Sequence, residues 1–93
     1  MSQYDLLAQY CESSQLSFPS NQEEADKVLL MIGYDLSNEI IYMDGEASER
    51  EAQQRRSYCH SVAKLVFSMG FALHGEVTQT DGYYDLLEVL NEG

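Results

Sequence analysis

Residues 20–45 read SNQEEADKVLLMIGYDLSNEIIYMDG, and the fold turns on whether this stretch is one helix or a helix followed by a strand. Ser20 with Glu23 three places on has the form of a capping box. Ala25, Val28, Leu29, Ile32, Leu36, Ile40 and Met43 then recur at helical spacing until Asp44-Gly45 ends the run. A helix of about 24 residues would be roughly 36 Å long at 1.5 Å per residue. Gly33 weakens its middle by about 1 kcal/mol relative to alanine and leaves room for a break there. The segment EIIYM at 39–43 could instead be a strand before a turn. EASEREAQQRR, which follows, has helical rather than alternating character, so the helix is the better reading.

Outward from that helix the pattern stays helical. Before it, residues 2–12 place Tyr4, Leu7, Ala8 and Cys11 on one face and Asp5, Gln9 and Glu12 on the other, and SSQLSFP breaks the run. After it, Ser48 and Glu51 suggest a second capping box. Ala52, Cys59, Val62, Ala63, Val66, Gly70 and Leu73 form the buried stripe of a third helix ending at His74 and Gly75, with Gln53, Ser57, Ser61, Lys64 and Ser68 on its wet face. EVTQTDG reads as a linker. A last helix from about Asp81 buries Tyr83, Leu86, Leu87 and Leu90 and exposes Tyr84, Asp85, Glu88 and Glu92. The expectation is an all-α bundle of about four helices, one domain over residues 1–93, with the long second helix at its centre. The triplet Tyr-Asp-Leu occurs at 4, 34 and 84, spacings that fit no repeat.

Sixteen Asp and Glu against five Lys and Arg give a net charge of −11, and the imbalance is uneven. Residues 1–49 hold ten acids and one base, Lys27; residues 65–93 hold five acids and no base. Direct binding to nucleic acid is disfavoured, since phosphate neutralisation needs clustered Lys and Arg. Arg50, Arg55 and Arg56 form the one basic cluster, and Glu46 and Glu51 stand four residues before Arg50 and Arg55, the favourable order for pairing along a helix. MSQYDLLAQYCESS has neither a basic nor an apolar leader region, and no run is apolar enough to span a membrane. A cytoplasmic protein with reduced Cys11 and Cys59 is expected.

Chemistry-bearing motifs are weak. Cys11, Cys59, His60 and His74 have no metal-ligand spacing, and DGEASEREAQQR ends on Arg55 where a calcium loop needs a bidentate Glu. No metal, cofactor or catalytic group is expected. GYDLSNEI resembles the prosthetic-group motif of acyl carrier proteins, with Leu36 and Ser37 in reversed order, which makes Ser37 the attachment residue in that alternative.

Acid ridges are the broadest pattern: Asp5 with Glu12, Asp35 with Glu39, and Asp85 with Glu88 and Glu92, among outward Tyr34, Tyr42 and Tyr84. Carboxylates four apart on a helix lie about 5–6 Å from each other, of the order of successive phosphates on a nucleic-acid strand. A solvated acidic surface is the bland reading of the same residues. A second stripe on the long helix, Leu30, Tyr34 and Ile41 flanked by Met31 and Tyr42, suggests self-association as a homodimer or burial at the centre of the bundle.

In size, acidity, helicity and tyrosines set among carboxylates, the chain resembles the small anti-CRISPR and anti-restriction inhibitors of phages, some of which mimic DNA. The resemblance covers no alignable motif and transfers no residue. It implies a non-enzymatic inhibitor in the host cytoplasm that occludes a basic, nucleic-acid-binding partner. An acidic adaptor or regulatory subunit is the alternative.

Overall fold

The computed structural model describes residues 3–42 and 46–92; the side chains of 38–42, 46–49 and 52 lie outside the described set. The chain is all-helical: α1 (Asp5–Ser13), α2 (Gln22–Tyr42), α3 (Glu46–Ser68), a 3₁₀ helix (Gly75–Gln79) and α4 (Tyr83–Glu92). No strand occurs among the described residues. The α2 backbone runs unbroken through Gly33 and through Glu39–Tyr42, so neither the break nor the strand forms. The long central helix is α3, which packs on α1, α2 and α4, whereas α2 packs on α3, α4 and the 3₁₀ helix. Cys59, Val62, Ala63 and Val66 explain the centrality of α3, because small buried side chains let three neighbours approach one axis.

The core joins Leu7, Tyr10 and Cys11 to Ala25, Val28, Leu29, Ile32 and Leu36, the α3 stripe, Val77, Leu86 and Val89. The expected faces of α1 and α4 are each off by about one position. In α1, Tyr10 is buried and Ala8 exposed, because the phenol finds a hydrogen-bond acceptor inside the fold. In α4, Val89 is buried and Leu90 exposed.

The helix ends also differ from expectation. Asn21, not Ser20, caps α2: its Oδ1 accepts the Glu24 N–H at 2.9 Å. The Glu24 carboxylate reaches back to the N–H of Ser20, also 2.9 Å, and to its hydroxyl. The cap thus sits one residue later than expected, and Ser20, first through its hydroxyl, holds the Glu24 carboxyl below its usual range. Helix α3 starts at Glu46, which places Ser48 inside the first turn rather than at the cap. It ends at Ser68, well before His74, and Gly70 (φ 95°) turns the chain away. Helix α1 closes in a left-handed turn at Gln15 (φ 59°), with Leu16 N–H to the Cys11 carbonyl at 2.8 Å and Gln15 N–H to Glu12 at 3.2 Å.

The expected linker is ordered structure. Gln22 clamps the segment leading into it to α2: its Nε2 donates to the Ala72 carbonyl at 3.1 Å and its Oε1 accepts the Ala72 N–H at 3.0 Å. The turn after the 3₁₀ helix then lies directly on α2. A Cβ on Gly33 would stand 2.5 Å from Thr80 Oγ1, and one on Gly82 would stand 2.5 Å from the Gly33 carbonyl oxygen and 2.9 Å from its Cα. Gly33 is thus a packing residue. Ser37 completes the joint, donating to the Gly33 carbonyl at 2.8 Å and accepting the Gly82 N–H at 3.0 Å.

Helix propensity alone would have Gly33→Ala stabilise the protein by about 1 kcal/mol. The joint reverses the sign. Gly33→Ala and Gly82→Ala are each expected to lower stability, by about 1–3 kcal/mol, with Gly82→Ala the worse because it meets backbone. Urea denaturation measures both.

Candidate functional site

Charge inside the fold is organised around Asp35. Its Oδ2 accepts the Tyr10 hydroxyl at 2.6 Å and Arg55 Nη2 at 3.0 Å, so one carboxylate on α2 takes a donor from α1 and another from α3. The Arg55 guanidinium lies 5.8 Å from the Tyr10 ring centroid and 5.4 Å from that of Tyr58, in cation–π range of both. Burial, and then the hydrogen bond to Asp35, hold the Tyr10 phenol far above its usual range. Next along α3, Arg56 Nη2 pairs with Asp85 Oδ2 of α4 at 3.0 Å. Arg55 and Arg56 therefore reach across helices instead of pairing only along their own. The expected Glu46–Arg50 pair rests on a side chain outside the described residues.

These pairs divide the candidate binding residues. Asp35 and Asp85 have side chains about a quarter exposed and tie helices together. Glu12, Glu88 and Glu92 are exposed, Asp5 is half-buried, and the side chains of Glu39, Ile41 and Tyr42 lie outside the described residues. Of the second stripe on α2, Leu30 and Met31 pack partly against the core, while Tyr34 is half exposed.

What remains on the surface is a tyrosine and carboxylate patch. Tyr84 is 76% exposed, the most open large hydrophobic side chain among the described residues. Glu88 and Glu92 follow it at four-residue steps, so all three share one ridge of α4, and exposed Asp81 stands in the turn before it. Its ring lies 5.5 Å from that of half-buried Tyr83. Tyr34 belongs to the same neighbourhood: it follows Gly33, Tyr83 and Tyr84 follow Gly82, and those two glycines touch. With consecutive Cα atoms about 3.8 Å apart, the three tyrosines spring from one joint. The sequence placed Tyr34 and Tyr84 outside but carried no sign that they flank one joint, formed by Gly33 and Gly82, 49 positions apart.

The reactive side chains form no second site. Cys11 and Cys59 are buried, and burial raises the Cys11 thiol. No cluster of metal-ligating side chains exists among the described residues, nor a helix long and apolar enough to cross a membrane. The Ser37 hydroxyl, which an acyl-carrier role would need at an accessible helix start, sits mid-helix and bonds within the α2–α4 joint. Comparison of the chain with protein-family models, curated proteins and solved structures finds no match.

Tyr10 and Tyr84 should separate fold from surface. Tyr10→Phe removes a hydrogen bond to a carboxylate and is expected to cost about 1.5–3 kcal/mol. A phenol whose folded pKa is raised contributes stability that is full below its unfolded value of about 10 and lost as pH rises beyond it, so Tyr10→Phe also makes the alkaline unfolding limb shallower. Tyr84→Ala is expected to change stability by less than about 0.5 kcal/mol. Urea titrations between neutral pH and pH 11 read all three effects.

Proposed function

We propose that this protein is a non-catalytic acidic inhibitor that binds a basic partner protein and occludes the surface with which that partner holds nucleic acid. The observation that carries the reading is Tyr84, a phenol 76% exposed on one ridge with Glu88 and Glu92, beside a joint that also presents Tyr34. Tyrosine is a typical interface anchor, combining a large rigid apolar face with a polar tip. Exposed carboxylates around it stand where phosphates would stand for a surface rich in Lys and Arg. The net charge of −11 adds long-range attraction toward such a surface. Chemistry is not needed: bulk and charge at the contact exclude the nucleic acid. The small anti-CRISPR and anti-restriction inhibitors of phages, which the chain resembles in size, acidity and helicity, suggest the class of target and the host cytoplasm as the place of action.

The test is competition. Immobilised protein captures its basic partner from a bacterial lysate, and labelled DNA or RNA is then titrated against the purified complex. Nucleic acid and this protein are expected to exclude one another. Association should weaken with salt, as the Debye length shrinks from about 10 Å at 0.1 M to about 3 Å at 1 M. Glu88→Gln with Glu92→Gln should slow association more than it speeds dissociation. Tyr84→Ala should raise the dissociation rate about twentyfold or more, the equivalent of ~2 kcal/mol. A stable ternary complex at low salt would overturn occlusion and leave the acidic adaptor in its place.

A further inference from the structure

A groove of about 250 Å³ lies between the first half of α2 and residues 74–77, with no α4 residue in its lining. Leu30 from α2 is its partly exposed apolar side chain, and Val77 of the 3₁₀ helix, also in its lining, is fully buried. Three carboxylates belong to it: Glu23 and Asp26, three residues apart on α2, and Glu76 from the opposite wall. Lys27 and His74 are the only cationic or basic side chains in its lining, so its carboxylates outnumber them. Asp26 is held in place: its Oδ1 accepts Gln22 Nε2 at 2.8 Å and lies 3.6 Å from His74 Nε2. Its Oδ2 accepts no hydrogen bond among the described residues. The same Gln22 amide that orients Asp26 also clamps Ala72, so the carboxylate and the segment leading to the far wall are fixed together.

We propose that this groove receives the side chain of one arginine of the basic partner. An arginine combines an aliphatic stem, which lies on apolar surface, with a charged head that seeks carboxylates. Here partly exposed Leu30 takes the stem, and Asp26, with Glu23 and Glu76, takes the guanidinium. Arginine fits better than lysine because its planar head is weakly hydrated and bonds carboxylates in pairs. The position also suits the binding surface. Glu23, Lys27, Leu30 and Tyr34 stand at i, i+4, i+7 and i+11, one continuous ridge of α2 leading from the groove to the tyrosine joint. A partner seated on Tyr34 and Tyr84 would lie along that ridge. The inference rests on the basic-partner reading, but the groove's own chemistry can be tested without the partner.

The probe is N-acetyl-L-arginine amide, titrated at low salt into the ¹⁵N-labelled full chain while amide shifts are followed by NMR. Saturable shifts centred on Asp26, Leu30, Gly75 and Val77 are expected. The uncharged isostere N-acetyl-L-citrulline amide should bind about tenfold more weakly, and so should the arginine probe to Asp26→Asn or Glu76→Gln, each loss being that of one charge-assisted bond. Glu76→Gln leaves the Gln22–Asp26 contact intact and so guards against a mere folding defect. Tyr84→Ala should bind the probe unchanged. Equal binding of the citrulline probe, shifts spread evenly over Glu12, Glu88 and Glu92, or no saturable shift would overturn the assignment. If groove variants leave partner binding intact while Tyr84→Ala weakens it, the groove proposal fails alone. If nucleic acid joins the complex while the probe still seats at Asp26, occlusion fails alone.

Discussion

A partly buried carboxylate has to be met by donors, and Asp35 meets that demand with one donor from α1 and one from α3. That constraint fixes the rotation of α2 about its own axis. With Asp35 turned toward Tyr10 and Arg55, the Leu29, Ile32 and Leu36 stripe faces the core. Gly33 and Ser37 face the turn before α4, and Tyr34 faces water. Rotating α2 by one residue, about 100°, would unpair the charge and put Tyr34 against its neighbours. Breaking such a charge–donor set is costly because the acceptor is left desolvated, while its net worth against a nonpolar alternative is small. Its part in the fold is therefore one of register as much as of stability.

The two cross-helix ion pairs sort the acidic charge into two kinds. Asp35 and Asp85 join helices, while Glu12, Glu88 and Glu92 project from the surface. Arg55 and Arg56 are adjacent on α3, so their side chains leave the helix about 100° apart and reach different neighbours, α2 and α4. Pairs exposed to this degree contribute modestly, on the order of 1 kcal/mol or less, because water screens them. The larger consequence is that two of the five bases are each matched to one carboxylate, leaving the remaining acids with fewer bases among them. That balance suits both the α4 ridge and the carboxylates of the groove beside the 3₁₀ helix.

Periodicity by itself determined that the chain is helical and that Leu29, Ile32, Cys59, Val62 and Leu86 are core; that α2 continues unbroken past Gly33, which the sequence left open, is a finding of the structure. The first two follow from side-chain spacing within a few turns, which local sequence encodes. The same spacing showed Tyr34, Tyr84, Glu88 and Glu92 pointing outward. It put Ala8 and Leu90 inside and left out Tyr10 and Val89, because the edge of an amphipathic face is settled by what lies opposite. Tyr10 is inside because Asp35 accepts its hydroxyl.

Only the tertiary structure decided which helix is central, which acids Arg55 and Arg56 pair with, and why Gly33 is a glycine. Each depends on residues tens of positions apart: Asp35 with Arg55, Arg56 with Asp85, Gly33 with Gly82, Gln22 with Ala72. Local pattern cannot carry such information, since a helix face specifies that something apolar or charged must cover it and not which segment does. The candidate surface is of this second kind. Its tyrosines and carboxylates were legible one by one, but the tyrosine joint exists only because two glycines let the turn before α4 lie on the backbone of α2, and Gln22 holding Ala72 ties the segment before the groove's far wall to α2.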